Sequence, residues 1–156
     1  MNELMIKQYC GLLETMDEPL SIISNTCAFI SDMMSEVSWV GFYFKHDDNL
    51  LLGPFQGHVA CTKLPIGQGV CGTCFKKNTA LIVDDVHEFE GHIACDNGSK
   101  SEIVLPFLIN NELVGVLDLD SYMFARFKTH DLETLSKLLE LLGTKLKDQS
   151  IIDKFF

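Results

Sequence analysis

Ser38-Trp39-Val40-Gly41-Phe42-Tyr43-Phe44 decides how the chain is read. Its aromatic and β-branched content suits a pleated strand, and it starts where a helical spacing of apolar residues stops, at Val37. Downstream, His46 to Asn49 supply turn residues, and Leu50 to Phe55 can return as the second arm of a hairpin. Upstream, Leu20, Ile23, Cys27, Ile30 and Met34 recur at spacings of three and four, which predicts a helix running to about Glu36. Asp17 can cap that helix and Pro19 suits its first turn. A weaker helical pattern covers about Leu4 to Thr15.

Beyond the hairpin, a third strand is predicted over Val59–Leu64, ended by Pro65, with further strands at Ala80–Val83, Ile103–Leu108 and Glu112–Asp120. Asn110-Asn111 is the turn between the last two. From Asp131 to Lys147, Leu132, Leu135, Leu138, Leu139, Leu142 and Leu146 form one helical stripe, with Thr129 as the predicted cap. Helices at both ends and hairpins between them give an α+β class with a mostly antiparallel sheet.

The length of 156 residues suits one domain. No apolar run approaches the roughly 18 residues of a membrane span, and the first residues lack a signal-peptide pattern, so a cytoplasmic location is expected. Six cysteines are then read as reduced thiols and not as a disulfide framework. A net charge of −10 repels phosphate backbones and anionic lipid, which argues against nucleic acid or membrane as partners.

Gly67-Gln68-Gly69-Val70-Cys71-Gly72 has the G-x-G-x-x-G form, but a dinucleotide site needs a preceding strand in a parallel unit, and Pro65 with its neighbouring hairpins argues against one. The plainer reading is a glycine turn into a short helix at about Val70–Lys77. Cys71-Gly72-Thr73-Cys74 is C-x-x-C, with no second pair to complete a zinc site, so no metal and no cofactor are expected. His58, His87 and His92 fit no zinc spacing. Cys10 and Cys27 lie on apolar helical patterns and read as buried small hydrophobes.

Cys95 differs, because Gly91-His92-Ile93-Ala94-Cys95-Asp96-Asn97-Gly98-Ser99 is a loop where a thiol can be accessible. His92 could lower its pKa, although the acidic surroundings oppose this; an inert turn cysteine is the alternative. In Val114-Gly115-Val116-Leu117-Asp118-Leu119-Asp120, period two puts Asp118 and Asp120 on the face of Val114 and Val116. Carboxylates extending an apolar face need water, a cation or a proton. Glu102, opening another strand, could add a third. A frayed strand end with solvated acids is the alternative.

Several ordered motifs together carry a resemblance: Gly53-Pro54-Phe55-Gln56-Gly57, Ala60-Cys61, the glycine-rich stretch at Gly67–Gly72, Asp85-Val86-His87, Gly91 to Asp96, Ser101-Glu102-Ile103-Val104, Val116 to Asp120 and Ala125-Arg126-Phe127. From about Trp39 to Asp131 the chain resembles the free methionine-R-sulfoxide reductases, which are single GAF-domain enzymes. The resemblance implies a single GAF domain, taken over residues 1–156; with the helical patterns read above, this gives N-terminal helices at about 4–35, a sheet and active-site loops at about 37–121, and a C-terminal helix at about 130–147. It further implies reduction of free L-methionine-(R)-sulfoxide, with Cys95 as nucleophile, Cys61 as principal resolving thiol and Cys71 as an auxiliary thiol. Glu102, Asp118 and Asp120 match the family's substrate-binding and activating carboxylates, and Trp39 and Tyr43 match the pocket for the methylthio end. Cys74 stands where the family usually has a small residue.

The implied chemistry is thiol attack on the sulfoxide sulfur, a sulfenic acid on Cys95, an intramolecular disulfide, and reduction by thioredoxin or a similar dithiol. A homodimer through the terminal helices is compatible with the sequence. The rival readings are a GAF module that senses a small molecule or redox state without catalysis, and a redox-regulated structural protein.

Overall fold

The computed structural model describes residues 2–93 and 98–156, so Cys95 lies outside the described residues. Helix α1 spans Asn2–Glu14 and α2 spans Pro19–Met33. Pro19 opens α2, where its missing N–H would have no intrahelical partner in any case. The N-cap position is Glu18 and no side chain caps it, so Asp17 does not serve as predicted. The helix also stops short of Glu36, because Met34 is already extended and Glu36 takes a φ of 57°.

Six strands follow: β1 (Trp39–His46), β2 (Asn49–Gln56), β3 (Lys63–Pro65), β4 (Leu81–Val83), β5 (Ser101–Ile109) and β6 (Glu112–Ser121). Helix α3 (Gly69–Lys77) lies between β3 and β4, and α4 (Thr129–Leu146) follows β6. The sheet order is β3-β2-β1-β6-β5-β4 and every neighbouring pair is antiparallel. Among the described residues, no helix is long and apolar enough to cross a membrane.

The quoted stretch becomes a central strand, buried from Trp39 to Phe44 because both sheet faces are covered. Val40, Phe42 and Phe44 enter the core formed with α1, α2 and α4. Trp39 and Tyr43 point the other way, to a smaller cluster with Val70, Cys71, Cys74 and Phe75 of α3. This division positions the site: one face is filled by three helices, the other by one short helix and loops.

Two irregularities correct the strict alternation. In the β5–β6 register, Phe107 pairs Gly115 but Leu108 pairs Leu113, leaving Val114 as an extra residue. That bulge turns Val114 into the helix-side core with Leu117 and Leu119, so it does not share the face of Val116 and Asp118 as period two predicted. The third strand is only three residues long. The ladder with β2 covers Lys63–Pro65, with one further bond from the Leu52 N–H to the Thr62 carbonyl at 3.0 Å, and the segment before it, predicted as strand from Val59, is irregular.

At α4 the N-cap is Lys128 and not Thr129: its N–H donates to the Asp131 carboxylate at 2.8 Å. Arg126 donates to the same carboxylate at 3.3 Å and to the Ser35 carbonyl at 2.9 Å, tying the exit of α2 to the start of α4. A terminal 3-10 helix over Gln149–Phe155, not anticipated from the sequence, brings Phe155 and Phe156 against Phe44.

Candidate active site

The glycine-rich motif serves the turn into α3. Gly69 has a φ of 68°, and a Cβ on Gly72 would lie 2.4 Å from the Pro65 carbonyl oxygen. The Gly67 N–H closes the turn on the Gly72 carbonyl at 2.9 Å. These requirements account for the glycines without a nucleotide, and they aim the start of α3 at the open face of the sheet. A cavity there is lined by Trp39, Tyr43, Cys71, Glu102, Asp118 and Asp120, together with Gln68, Gly69, Ser99 and the segment His58–Ala60. Six residues singled out from the sequence therefore share one enclosure.

The acids come from adjacent strands. Glu102 of β5 pairs Asp120 of β6, while Asp118 stands two residues back and projects from the same face. Glu102 is 6% exposed and Asp118 7%, so both have lost most contact with water. Burial, reinforced by the Asp118 and Asp120 charges, raises the Glu102 pKa well above the usual carboxyl range. Burial likewise lifts Asp118 to about 6, against a smaller lowering by Glu102 and Cys71. The cluster thus holds a proton near neutrality and can act as a general acid toward a substrate oxygen.

Cys71 donates to Glu102 Oε1 at 3.9 Å. Burial first, then the neighbouring carboxylates, pushes this thiol well above its ordinary pKa, so it is a neutral thiol and a poor nucleophile at neutral pH. Cys74 is fully buried and burial raises it to about 12. Cys61 is disulfide-bonded, whereas Cys10, Cys27, Cys71 and Cys74 are free thiols. Cysteine, glutamate and aspartate at this corner each offer a ligand atom within 4.8 Å of the others, so Cys71, Glu102 and Asp118 are the described residues able to hold a metal ion.

Trp39 and Tyr43 do more than line a wall. Their rings stack at 6.0 Å, and Trp39 stacks on Phe55 at 5.4 Å. The Trp39 indole N–H donates to the His58 carbonyl at 3.1 Å, and the Tyr43 hydroxyl donates to the Cys61 carbonyl at 2.9 Å. Gly57 permits the approach, since a Cβ there would sit 2.5 Å from Trp39 Cδ1. Two sheet side chains thus hold the irregular segment that carries Cys61. Backbone carbonyls pairing with distant aromatics leave no mark in sequence, which is why this role escapes motif reading.

His58, Ser99 and His92 also line the cavity, a placement the sequence did not signal. Burial lowers the His92 pKa, which disfavours the charged imidazolium at the cavity wall. Ser99 Oγ and Asp118 Oδ1 are buried without a hydrogen-bond partner among the described residues. Two such atoms beside one cavity point to a ligand that completes their bonding.

The GAF domain family model matches residues 12–146. The chain is 45% identical over 137 residues to the free methionine-R-sulfoxide reductase of Escherichia coli, covering 88% of this chain and 82% of that one. It is 37% identical to the enzyme of the same name from Saccharomyces cerevisiae, over 90% of this chain and 83% of that one. The solved structure of the Staphylococcus aureus fRMsr in complex with substrate superimposes with a TM-score of 0.87 at 42% identity, covering 93% of this chain and 95% of that chain. Sequence, fold and a cavity walled by buried acids and stacked aromatics thus converge, and the chain belongs to the GAF-domain free methionine-R-sulfoxide reductases.

Proposed function

We propose that this protein reduces free L-methionine-(R)-sulfoxide to L-methionine, with Cys95 as nucleophile and Cys61 as resolving thiol. The observation that carries the reading is the buried Glu102–Asp118 pair, raised in pKa and facing a cavity walled by Trp39 and Tyr43. The acids suit two tasks: an ionised carboxylate binds the substrate ammonium, and a protonated one donates to the sulfoxide oxygen. The aromatic wall suits the methylthio end, whose sulfur and methyl pack favourably on rings.

In this sequence of steps the Cys95 thiolate forms a bond to the sulfoxide sulfur as the oxygen accepts a proton. Methionine leaves and Cys95 carries the oxygen as a sulfenic acid. The Cys61 thiol displaces that oxygen as water, forming a disulfide, and an external dithiol such as thioredoxin reduces it by exchange. The disulfide at Cys61, beside four free cysteines, supports Cys61 in the resolving role. The raised pKa of Cys71 supports only an auxiliary one.

With thioredoxin, its reductase and NADPH, the resolved R diastereomer should drive reductant consumption while the S diastereomer does not. Equal consumption without sulfoxide, or none with it, would dismiss the enzymatic reading in favour of a ligand sensor. Cys61→Ser should release about one methionine per chain and then stall with thioredoxin as reductant, because the first reduction needs only the nucleophile. Quenched-flow counting of methionine checks this, and undiminished steady-state turnover would move the resolving role to another thiol.

A further inference from the structure

We propose that Cys71, Glu102 and Asp118 form a binding site for one thiophilic divalent cation, of the zinc or cadmium type, whose occupancy excludes the substrate. The exclusion rests on the substrate placement proposed above; the metal site itself does not. Three different elements supply the ligands: α3 gives Cys71, β5 gives Glu102 and β6 gives Asp118. Their donor atoms all lie within 4.8 Å of one another, and the thiol sits 3.9 Å from Glu102 Oε1. Ligand atoms around a tetrahedral zinc, at roughly 2.3 Å for sulfur and 2.0 Å for oxygen, stand about 3.5 Å apart. Small side-chain rotations therefore close the trio onto an ion.

An independent observation points to a ligand here. Asp118 is more than nine-tenths buried, yet its Oδ1 has no hydrogen-bond partner among the described residues. Nor does any lysine or arginine among the described residues line the cavity beside Glu102 and Asp118. A divalent ion would satisfy the orphan oxygen and compensate buried negative charge that is otherwise costly. The thiol decides the class of cation, because sulfur favours soft ions over magnesium or calcium. Three protein ligands with a fourth position open to water is a familiar zinc arrangement. Here the ion would occupy the corner meant for the substrate's polar end, which makes it an inhibitor and not a cofactor.

The test uses the full-length oxidised protein, in which Cys61 is disulfide-bonded and withdrawn as a ligand. Titration of metal-free protein with cadmium should give thiolate-to-cadmium charge-transfer absorption saturating at one ion per chain. Cys71→Ser should abolish the band and weaken binding by at least about a hundredfold, and Asp118→Asn should weaken it while keeping the band. Cys74→Ser should leave both unchanged, and excess magnesium should not compete. Methionine-R-sulfoxide should displace the ion competitively. No band, a band that survives in Cys71→Ser, or a bound ion that the sulfoxide cannot displace would each overturn the proposal. Absorption is read without turnover, so a protein inactive on methionine sulfoxide would still report on the metal site.

Discussion

Replacing Cys95 by serine should lower kcat/KM for methionine-R-sulfoxide by at least about a thousandfold, roughly 4 kcal/mol of transition-state stabilisation. The hydroxyl is nearly the same size as the thiol but is hardly ionised at neutral pH. The helix-side core that carries most of the fold, from Tyr9 through Phe42 to Leu142, lies on the opposite sheet face from the cavity. The melting temperature should therefore stay close to wild type. Activity within tenfold of wild type, in a variant with an unchanged circular dichroism spectrum, would remove Cys95 from the nucleophile's role and turn attention to another thiol.

The substrate should have to be a free amino acid. N-Acetyl-methionine-R-sulfoxide should react at least about a hundredfold more slowly in kcat/KM, about 2.7 kcal/mol. Glu102 and Asp118 are buried and have no lysine or arginine beside them in the described lining of the cavity. An ammonium relieves that charge, whereas an acetylated amine leaves a carboxylate uncompensated, at a cost of several kcal/mol. Acetylation also adds bulk where a polypeptide would continue. First-turn backbone N–H groups of α3, at Gly69 and Val70, lie at the cavity and would hold the free carboxylate, so that both charged ends of the ligand are read. The comparison uses resolved diastereomers at equal thiol concentration. Comparable rates would contradict a charge-reading enclosure even if Cys95 were confirmed as nucleophile.

Residues with strong local preferences made much of the fold legible. The change of period at Val37 marks β1, and the leucine stripe marks α4. Asn110 and Asn111 both adopt positive φ, the conformation of a tight hairpin turn that asparagine tolerates. What escaped were features set by distant partners. Val114 changes face because a bulge against Phe107 and Leu108 relieves the pairing, and nothing in the alternation Val114-Gly115-Val116 announces it. The segment at Val59 reads as strand by composition, yet aromatic side chains of β1 take its carbonyls before a ladder can form. The 3-10 turn at Gln149–Phe155 exists through Phe155 packing on Phe44, a contact across most of the chain.

The candidate site divided in the same way. Glu102, Asp118 and Asp120 could be found because acids on an apolar strand face violate the ordinary burial of charge. Cys71 stood in a C-x-x-C without the second pair of a zinc site, and the structure buries both thiols in the α3 cluster, with Cys71 against Glu102. Ser99 and His58 carried no such signature. Their place in the cavity depends on where loops cross the sheet, which local sequence does not specify.

Trp39 is the chain's sole tryptophan, and its position gives the molecule a built-in optical gauge. The indole lines the cavity and donates its N–H to the His58 carbonyl, in the same segment whose Cys61 carbonyl accepts from Tyr43. Its emission should therefore register two events at once: an arriving ligand changes the polarity beside the ring, and opening the disulfide at Cys61 removes a nearby quencher. Binding and reduction can be followed in unlabelled protein, in real time, from the same side chain that walls the pocket.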